Sequence, residues 1–218
     1  PIQLTIDKLK SKYSNMILEK DKKNFTENLK IIIKQINLIE NLVNEFSDFA
    51  RMPKPTLKTN DLIILIKDNI KLINELDQNT EITLNFDSEK LLFNSDNEQL
   101  SRVFFNLIKN SIESIAQKIE KRGDFTKKIS IEILSNNDHI KVTLVDNGVG
   151  FDQIKNDVKK IINPYFTTKK NGTGLGLSIV NKIINDHNGE LLFFPISNGA
   201  KIEINFRLDG HRNFNSWR

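Results

Sequence analysis

The sequence predicts an α+β protein in which an antiparallel helical hairpin precedes an α/β sandwich domain. Two features predict the hairpin and its end: an apolar heptad seam early in the chain, and Pro53 and Pro55 directly after it. A third feature predicts the sandwich, because helix-period and strand-period segments interleave through the remainder. We expect domains at residues 1–52 and 53–210, with a polar tail at 211–218.

The composition is that of a folded protein and excludes several classes of site. Of the 218 residues, 38% are hydrophobic and 28% charged, which argues against global disorder. The chain has no cysteine, which excludes a disulfide framework, a thiolate metal site and a cysteine nucleophile. No apolar run approaches the roughly 18 residues of a membrane span, so we expect no membrane contact by this part of the protein. The net charge of +4 comes from lysines scattered among acids, so we expect no nucleic-acid binding.

The hairpin is predicted from an uninterrupted seam of apolar residues. Spacings of four and three alternate along it, and the residues between are mostly polar. Its members are Phe25, Leu29, Ile32, Ile36, Ile39, Val43, Phe46 and Ala50. The segment from Ile2 to Met16 repeats the alternation, and we expect the two helices to join near Glu19 to Asn24. A single hairpin leaves part of its seam in water, so we expect two copies to pair into a dimeric four-helix bundle. The alternative is packing against the second domain of the same chain.

The second domain is predicted as helices on one face of a mixed sheet. Ser95 and Glu98 have the spacing of a capping box at a helix start, and Asn136 to Asp138 is a turn between alternating strands. The polar segment from Gly148 to Asn171 favours a functional loop. The expected helices are 60–76, 96–119 and about 174–186, and the expected strands are 81–86, 90–94, 127–135, 139–146, 190–195 and 200–208.

Two asparagines form the first polar constellation of this domain. Asn106 and Asn110 are four residues apart on a predicted helix, so both project from one face. An amide oxygen there would suit a hard cation such as Mg²⁺, which takes oxygen ligands and keeps several waters. Two solvent-facing asparagines are the alternative.

The second constellation is D-N-G-V-G, Asp146 to Gly150, at the end of a strand. A carboxylate followed by Gly148 and Gly150 lies beside backbone that can approach a flat ligand closely. The carboxylate can accept a hydrogen bond from an exocyclic amine, which suits adenine. An ordinary D-N-G turn is the alternative.

The third constellation is N-G-T-G-L-G-L-S-I-V, Asn171 to Val180, preceded by P-Y-F-T-T-K-K. Its glycines, Gly172, Gly174 and Gly176, match neither the dinucleotide fingerprint nor a Walker A loop. At a helix start, backbone N–H groups and the helix dipole favour anions. Taken alone, the stretch is equally compatible with a flexible connection.

The order of these motifs resembles that of the nucleotide-binding domain of sensor histidine kinases. In that family N-x-x-x-N, D-x-G-x-G, P-[FY]-F-T-T-K and G-T-G-L-G-L-S are the N, G1, F and G2 boxes of the Bergerat ATP-binding fold, and the similarity covers residues 55–207. The preceding hairpin resembles the family's dimerisation and phosphotransfer domain. N-E-F-S-D-F-A-R-M-P-K-P and P-I-Q-L-T-I-D-K-L-K-S-K-Y are most similar to the nitrogen-regulation, NtrY-like group.

The resemblance implies a site for ATP and Mg²⁺. Asp146 would read the adenine amine, Asn110 would bind Mg²⁺, and Asn106 would support the phosphates from the same helix face. Many relatives carry a basic residue three positions after the Mg²⁺ asparagine; Glu113 stands there, so Lys109 or the lid lysines would contact phosphate. The other implied ATP-binding residues are Gly148 and Gly150 beside the base, and Thr168, Lys169, Gly172, Gly174, Leu175 and Gly176 in the mobile lid and phosphate cradle.

The resemblance also favours phosphoryl transfer over hydrolysis. ATPases of the same fold carry a glutamate general base four residues before the Mg²⁺ asparagine, whereas Asn106 has no useful basicity. Transfer needs mainly positioning and charge stabilisation. The implied activity is that of a protein-histidine kinase, which phosphorylates its own histidine and passes the group to an aspartate of a response-regulator receiver domain. An ATPase and a non-catalytic nucleotide-binding dimer are the alternatives.

The phosphoacceptor histidine is not identified within the sequence. His139, His187 and His211 fall at a strand turn, a helix end and the tail, so each is expected to be structural or solvated. P-I-Q-L-T-I-D-K-L resembles the stretch that follows the family's acceptor box, and we expect the acceptor upstream of Pro1. By the same resemblance, this portion would be cytoplasmic and the full-length protein anchored in the bacterial inner membrane.

Overall fold

The computed structural model describes residues 2–13, 16–151, 158–169 and 172–208, so the predicted tail at 211–218 lies outside the described residues. The chain divides into two compact units. The first contains residues 1–52 together with 167–173, and the second contains residues 53–166 together with 174–218.

The first unit is built on two helices, α1 (Ile2–Tyr13) and α2 (Glu19–Ala50), which pack against each other. α1 ends at Tyr13 and α2 begins at Glu19, so the join comes earlier than the predicted position near Glu19 to Asn24. Glu19 and Asp21 instead form the first turn of α2, where acidic side chains interact favourably with the helix dipole. The predicted hairpin is confirmed, and the position of its join is corrected.

The heptad seam of α2 is only partly covered. Leu29 of α2 and Ile6 of α1 are buried. Four seam residues further along α2 remain between 47% and 60% exposed: Ile32, Ile39, Val43 and Phe46. An apolar stripe therefore remains on the surface of the hairpin.

Among the described residues, the second unit combines a mixed five-stranded sheet with three α-helices. Its elements in chain order are β1 (Lys58–Asp61), α3 (Leu62–Leu76), β2 (Thr80–Phe86), β3 (Leu92–Ser95), α4 (Asn97–Arg122), β4 (Lys127–Ser135), β5 (His139–Asp146), a 3₁₀ turn (Val158–Ile162), α5 (Gly176–Asp186), β6 (Gly189–Ile196) and β7 (Gly199–Arg207). The sheet has the order β2-β4-β5-β7-β6, with β2 parallel to β4 and the other pairs antiparallel. The predicted α+β architecture is confirmed.

One face of the sheet and the helices α3, α4 and α5 form the core. Alternation along β4 places Ile129, Ile131 and Ile133 on this face, each at most 1% exposed, and Ser130 and Glu132 on the other. Phe104 and Leu107 of α4 are equally buried, and α4 packs against α3, α5 and β4. This apolar layer holds α4 beside the sheet. No helix among the described residues combines the length and apolar character needed to cross a membrane.

A short antiparallel ladder between β1 and β3 was not predicted from the sequence. It pairs Lys58 with Ser95 and keeps Ser95 in a strand. The N-cap of α4 therefore moves to Asp96, whose Oδ1 accepts hydrogen bonds from the N–H groups of Glu98 and Gln99, both at 3.1 Å. The predicted capping box of Ser95 and Glu98 is wrong by one residue.

Two helices begin two residues later than predicted. Asp61 ends β1 and caps α3 by accepting a hydrogen bond from the N–H of Ile63 at 3.0 Å, so α3 starts at Leu62. Gly174 has a φ of +71°, which a right-handed helix does not permit, so α5 starts at Gly176.

Candidate functional site

The predicted D-N-G-V-G motif, Asp146 to Gly150, follows the central strand β5 and is called the aspartate loop below. Asp146 is 3% exposed. Its Oδ2 accepts a hydrogen bond from Oγ of Ser111 at 3.0 Å, and its Oδ1 accepts one from the N–H of Gly148 at 2.9 Å. The carboxylate is thus held from α4 on one side and from its own loop on the other.

Burial makes the largest contribution to the ionisation of the Asp146 carboxyl group, and its net effect is a raised pKa. Burial raises the pKa of its carboxyl group, whereas the hydrogen bonds from Gly148, Ser111 and Ala200 and the charge of Lys118 oppose that rise. A carboxylate offers about four acceptor positions. The three donors recorded among the described residues leave capacity for one donor from a ligand. An amine of a purine base is a donor of this kind.

Three α4 side chains hold consecutive parts of the aspartate loop. Ser111 bonds its first residue, Lys118 Nζ donates to the main-chain oxygen of Asn147 at 2.7 Å, and Ser114 Oγ accepts from the N–H of Val149 at 3.1 Å. Spacings of three and four along a helix place these side chains on one face. The sequence reasoning missed them, although polar residues at that spacing beside an apolar helix face are a readable signal.

The glycines of the aspartate loop are required by packing within the protein. A Cβ on Gly148 would lie 2.3 Å from Oγ of Ser114. A Cβ on Gly150, where φ is +68°, would lie 2.2 Å from the main-chain oxygen of Gly199. Gly199 was not singled out from the sequence, yet its own Cβ would lie 1.8 Å from the main-chain oxygen of Asp146. The turn before β7 therefore abuts the loop directly.

The two predicted amides lie half-buried on α4, and Lys109 is exposed between them. Asn106 Nδ2 donates to the main-chain oxygen of Arg102 at 2.9 Å, which fixes the amide. A Cβ on Gly176 would lie 3.8 Å from Oδ1 of Asn106. The structure thus brings the first turn of α5 next to the amide of Asn106, as expected if both face one ligand.

In the second unit, a main-chain hydrogen bond joins the glycine-rich stretch to the segment that precedes it. The N–H of Tyr165 donates to the main-chain oxygen of Gly174 at 3.0 Å, and both residues have positive φ. A Cβ on Gly174 would lie 2.4 Å from the carbonyl carbon of Tyr165, so glycine is required. Leu175 is buried at the N-cap of α5 and makes no side-chain cap. The first N–H groups of α5 point away from the helix body, an arrangement that favours an anion.

The predicted lid residues Thr168, Lys169 and Gly172 belong to the first unit. There the N–H of Lys169 donates to Oγ1 of Thr167 at 3.1 Å, and the N–H of Gly172 donates to the main-chain oxygen of Lys169 at 3.2 Å. Oγ1 of Thr173 donates to a carboxylate oxygen of Glu45 on α2. These bonds lie within that unit. Thr168 is exposed.

The donor set for a metal is sparse. Within the described ranges no three His, Cys, Asp or Glu side chains converge to hold an ion. A magnesium ion at Asn110 would therefore have to take most of its oxygen ligands from phosphate and water, which is the coordination Mg²⁺ prefers in nucleotide sites. The residues present fit Mg-ATP and do not fit a protein-only metal centre.

The described histidines have positions that suit structural or solvated roles. His139 is the exposed first residue of β5. His187 is buried; its Nδ1 donates to the main-chain oxygen of Ile183 at 2.8 Å, and its Nε2 accepts from the N–H of Asp96 at 3.0 Å. His211 lies outside the described residues.

Comparison with known proteins identifies the second unit. Residues 95–210, more than half of the chain, match the family described as histidine kinase-, DNA gyrase B-, and HSP90-like ATPase. Among curated proteins, the chain is similar to an NtrY-like sensor histidine kinase of Rickettsia prowazekii, with 35% identity over 212 residues. The match covers 95% of this chain and 33% of that protein, so the chain spans about a third of its relative's length.

Solved structures show the same architecture. The catalytic domain of the histidine kinase ThkA, in a nucleotide-free form, has a TM-score of 0.61 and 28% identity, and the match covers 70% of this chain and 95% of that chain. A complex of ThkA with the response regulator protein TrrA has a TM-score of 0.70 and covers 96% of this chain and 58% of that chain. Its identity of 22% shows the fold alone. The chain belongs to the histidine kinase-, DNA gyrase B- and HSP90-like ATPase family, and along nearly its whole length it is similar to NtrY-like sensor histidine kinases.

Proposed function

We propose that this chain is the ATP-binding and dimerisation core of a two-component sensor histidine kinase. The intact protein would use Mg-ATP to phosphorylate one of its histidines. The phosphoryl group would then pass to an aspartate on a response-regulator receiver domain. Neither of the described histidines, His139 and His187, has a position that suits the acceptor role. Anchoring of the intact protein in the bacterial inner membrane is a further proposal that rests on the resemblance alone.

The observation that carries the proposal is the buried carboxylate of Asp146 at the end of β5. It retains acceptor capacity after its protein donors are counted, and α4 with its two half-buried asparagines lies directly beside it. A carboxylate for the base, amides for the phosphates and a helix start near Asn106 form one set of groups suited to ATP. Asn110 would supply the protein's oxygen ligand to Mg²⁺, and the exposed Lys109 would supply charge for phosphate.

Asn106 favours phosphoryl transfer over hydrolysis. The amide is held by its bond to Arg102 and has no basicity with which to activate a water molecule. Transfer to an in-line nucleophile requires positioning and charge stabilisation, which Mg²⁺, amides and a helix start supply. The site is therefore better suited to donate a phosphoryl group than to hydrolyse ATP.

The exposed stripe on α2 supports homodimerisation through the hairpin. Its residues recur at heptad spacing, which is the pattern of a helical-bundle interface. We expect Val43→Glu to shift the chain from dimer to monomer, as measured by light scattering after gel filtration. Ile64→Glu is the matched control, since Ile64 is also an exposed apolar residue, at 56%, but lies on α3. Equal molar masses for all three proteins would contradict dimerisation through this stripe.

The kinase proposal is tested with γ-labelled Mg-ATP on this chain and on the intact protein. We expect both to bind ATP and only the intact protein to take up acid-labile label. A folded chain without ATP affinity would refute the nucleotide-binding part. Steady ATP turnover without label, lost in Asn106→Ala, would instead identify an ATPase.

A further inference from the structure

Lys118 is a buried lysine on α4 that none of the sequence motifs includes. It is 8% exposed, and burial of an ammonium group is costly unless hydrogen bonds compensate. Its Nζ donates to the main-chain oxygen of Asn147 at 2.7 Å and to Oδ1 of Asn198 at 2.5 Å, and lies 5.2 Å from the centre of the Phe125 ring. An aliphatic side chain would fill this space without the desolvation cost. What Lys118 provides and an aliphatic residue would not is therefore the positive charge and the hydrogen bonds that it donates.

Both acceptors of Lys118 belong to segments that contact Asp146. Asn147 directly follows Asp146 in the aspartate loop. Asn198 precedes Gly199, whose backbone is so close to the main-chain oxygen of Asp146 that a Cβ would lie 1.8 Å from it. One ammonium group therefore ties together the two segments that fix the backbone of Asp146.

The side chain of Asn147 is also held by hydrogen bonds, so the bond from Lys118 acts on a residue that is already anchored. Oδ1 of Asn147 accepts from the N–H of Lys128 at 3.0 Å, and its Nδ2 donates to the main-chain oxygen of Thr126 at 2.8 Å. Asn147 is therefore held by Thr126 and Lys128 on one side and by Lys118 on the other. A rotation of the main chain at Asn147 would move the carboxylate of the residue before it.

The charge of Lys118 also acts on Asp146, because it favours the ionised form of that carboxyl group. Burial raises the pKa of the Asp146 carboxyl group, and the nearby ammonium opposes that rise. An ionised carboxylate is the form that accepts a hydrogen bond with all of its oxygen lone pairs.

We propose that Lys118 is a positioning residue for adenine recognition. It holds the aspartate loop and the turn at Asn198 against each other, so that Asp146 presents its carboxyl group to the exocyclic amine of the purine. This inference rests on the proposed nucleotide binding and deepens it, because it names the residue that sets discrimination between purines with and without that amine.

The test compares two nucleotides on matched variants. Dissociation constants are measured by displacement of a fluorescent ATP analogue, using ATP and purine riboside triphosphate, which lacks the exocyclic amine. The variants are Lys118→Met, Lys118→Arg and Asn198→Leu, the last at an exposed position that removes one acceptor. Lys121→Met on the exposed side of α4 is the control. Circular dichroism checks that each variant is folded.

We expect Lys118→Met to weaken ATP binding about tenfold with little change for purine riboside triphosphate, the loss expected for one misplaced hydrogen bond to a charged group. Asn198→Leu should show a smaller loss of the same kind, Lys118→Arg should recover part of the preference, and Lys121→Met should match the wild type. Equal weakening for both nucleotides, or an unchanged preference in Lys118→Met and Asn198→Leu, would overturn the inference. A wild-type chain that binds neither nucleotide would refute the proposed function instead.

Discussion

Gly199→Ala tests whether the turn before β7 determines the position of the aspartate loop. A Cβ at residue 199 would lie 1.8 Å from the main-chain oxygen of Asp146 and 2.7 Å from its carbonyl carbon. Both are backbone atoms, so no side-chain rotation relieves the contact. The φ of Gly199 is +121°, which alanine rarely adopts.

The expected cost combines two contributions. Backbone strain at such a φ costs about 1–3 kcal/mol. Forcing a methyl group into an occupied space costs about a further 1–3 kcal/mol. We therefore expect the free energy of unfolding to fall by about 4 kcal/mol, the sum of the two midpoints. The affinity for ATP should fall as well, because the displaced carbonyl belongs to the residue that would read the base.

Gly123→Ala is the matched control. Gly123 has a φ of +84° and a ψ of 179° at the end of α4, and its Cβ would meet nothing within 4 Å. Alanine at this position should therefore have the backbone strain without the steric contact, and should lower the free energy of unfolding by about 1–3 kcal/mol. Urea denaturation followed by circular dichroism measures stability, and displacement of a fluorescent ATP analogue measures affinity. The reasoning is refuted if Gly199→Ala costs no more than Gly123→Ala, or if its ATP affinity equals that of the control.

Two further predictions concern aspartates with shifted pKa values. Asp146→Asn should remove ATP binding, because a single amide oxygen cannot replace both carboxylate oxygens as acceptors for Ser111, Gly148 and the purine amine. Titration calorimetry with ATP measures this, and an unchanged affinity would contradict the role assigned to Asp146. Because the pKa is raised, wild-type ATP affinity should fall as the pH drops at values still above 3.8, the ordinary value for aspartate. Asp96→Ala should cost about 1–2 kcal/mol as a lost N-cap. Burial opposes the shift at Asp96, but bonds from the N–H groups of Gln99, Thr56 and Glu98 outweigh it and lower its pKa. Its stabilisation should therefore be complete above pH 3.8 and be lost as the pH falls below that value, and a wild-type acid-unfolding curve identical to that of the variant would contradict this.

The parts of the candidate site whose residues are neighbours along the chain could be predicted from the sequence. Asn106 and Asn110 share a helix face because of their spacing, and the aspartate loop is a contiguous motif. The roles assigned to these residues stay predictions until nucleotide binding is measured. Helix ends were less accurate, because the pairing of β1 with β3 moved the cap of α4 to Asp96.

The contacts that support the aspartate loop could not be predicted from the sequence. Ser111 lies 35 residues from Asp146 along the chain, and Lys118 lies 80 residues from Asn198. Which of the many polar residues meet depends on the register of the sheet and on how α4 packs across it. Gly199 was not singled out from the sequence for the same reason, since the atom that excludes a side chain there belongs to Asp146 at the end of β5.

The hairpin, the helices on a mixed sheet and the motifs that resemble a nucleotide site could all be predicted from local sequence patterns. Apolar periodicity and local spacing act over a few residues, so they survive without knowledge of the fold. The convergence of Lys118, Asn198 and Gly199 on the backbone of Asp146 depends on the packing of α4 and of the turn before β7 against β5. Burial and long-range packing create that convergence, because an ammonium and a carboxylate are buried together only where the fold supplies their hydrogen-bond partners.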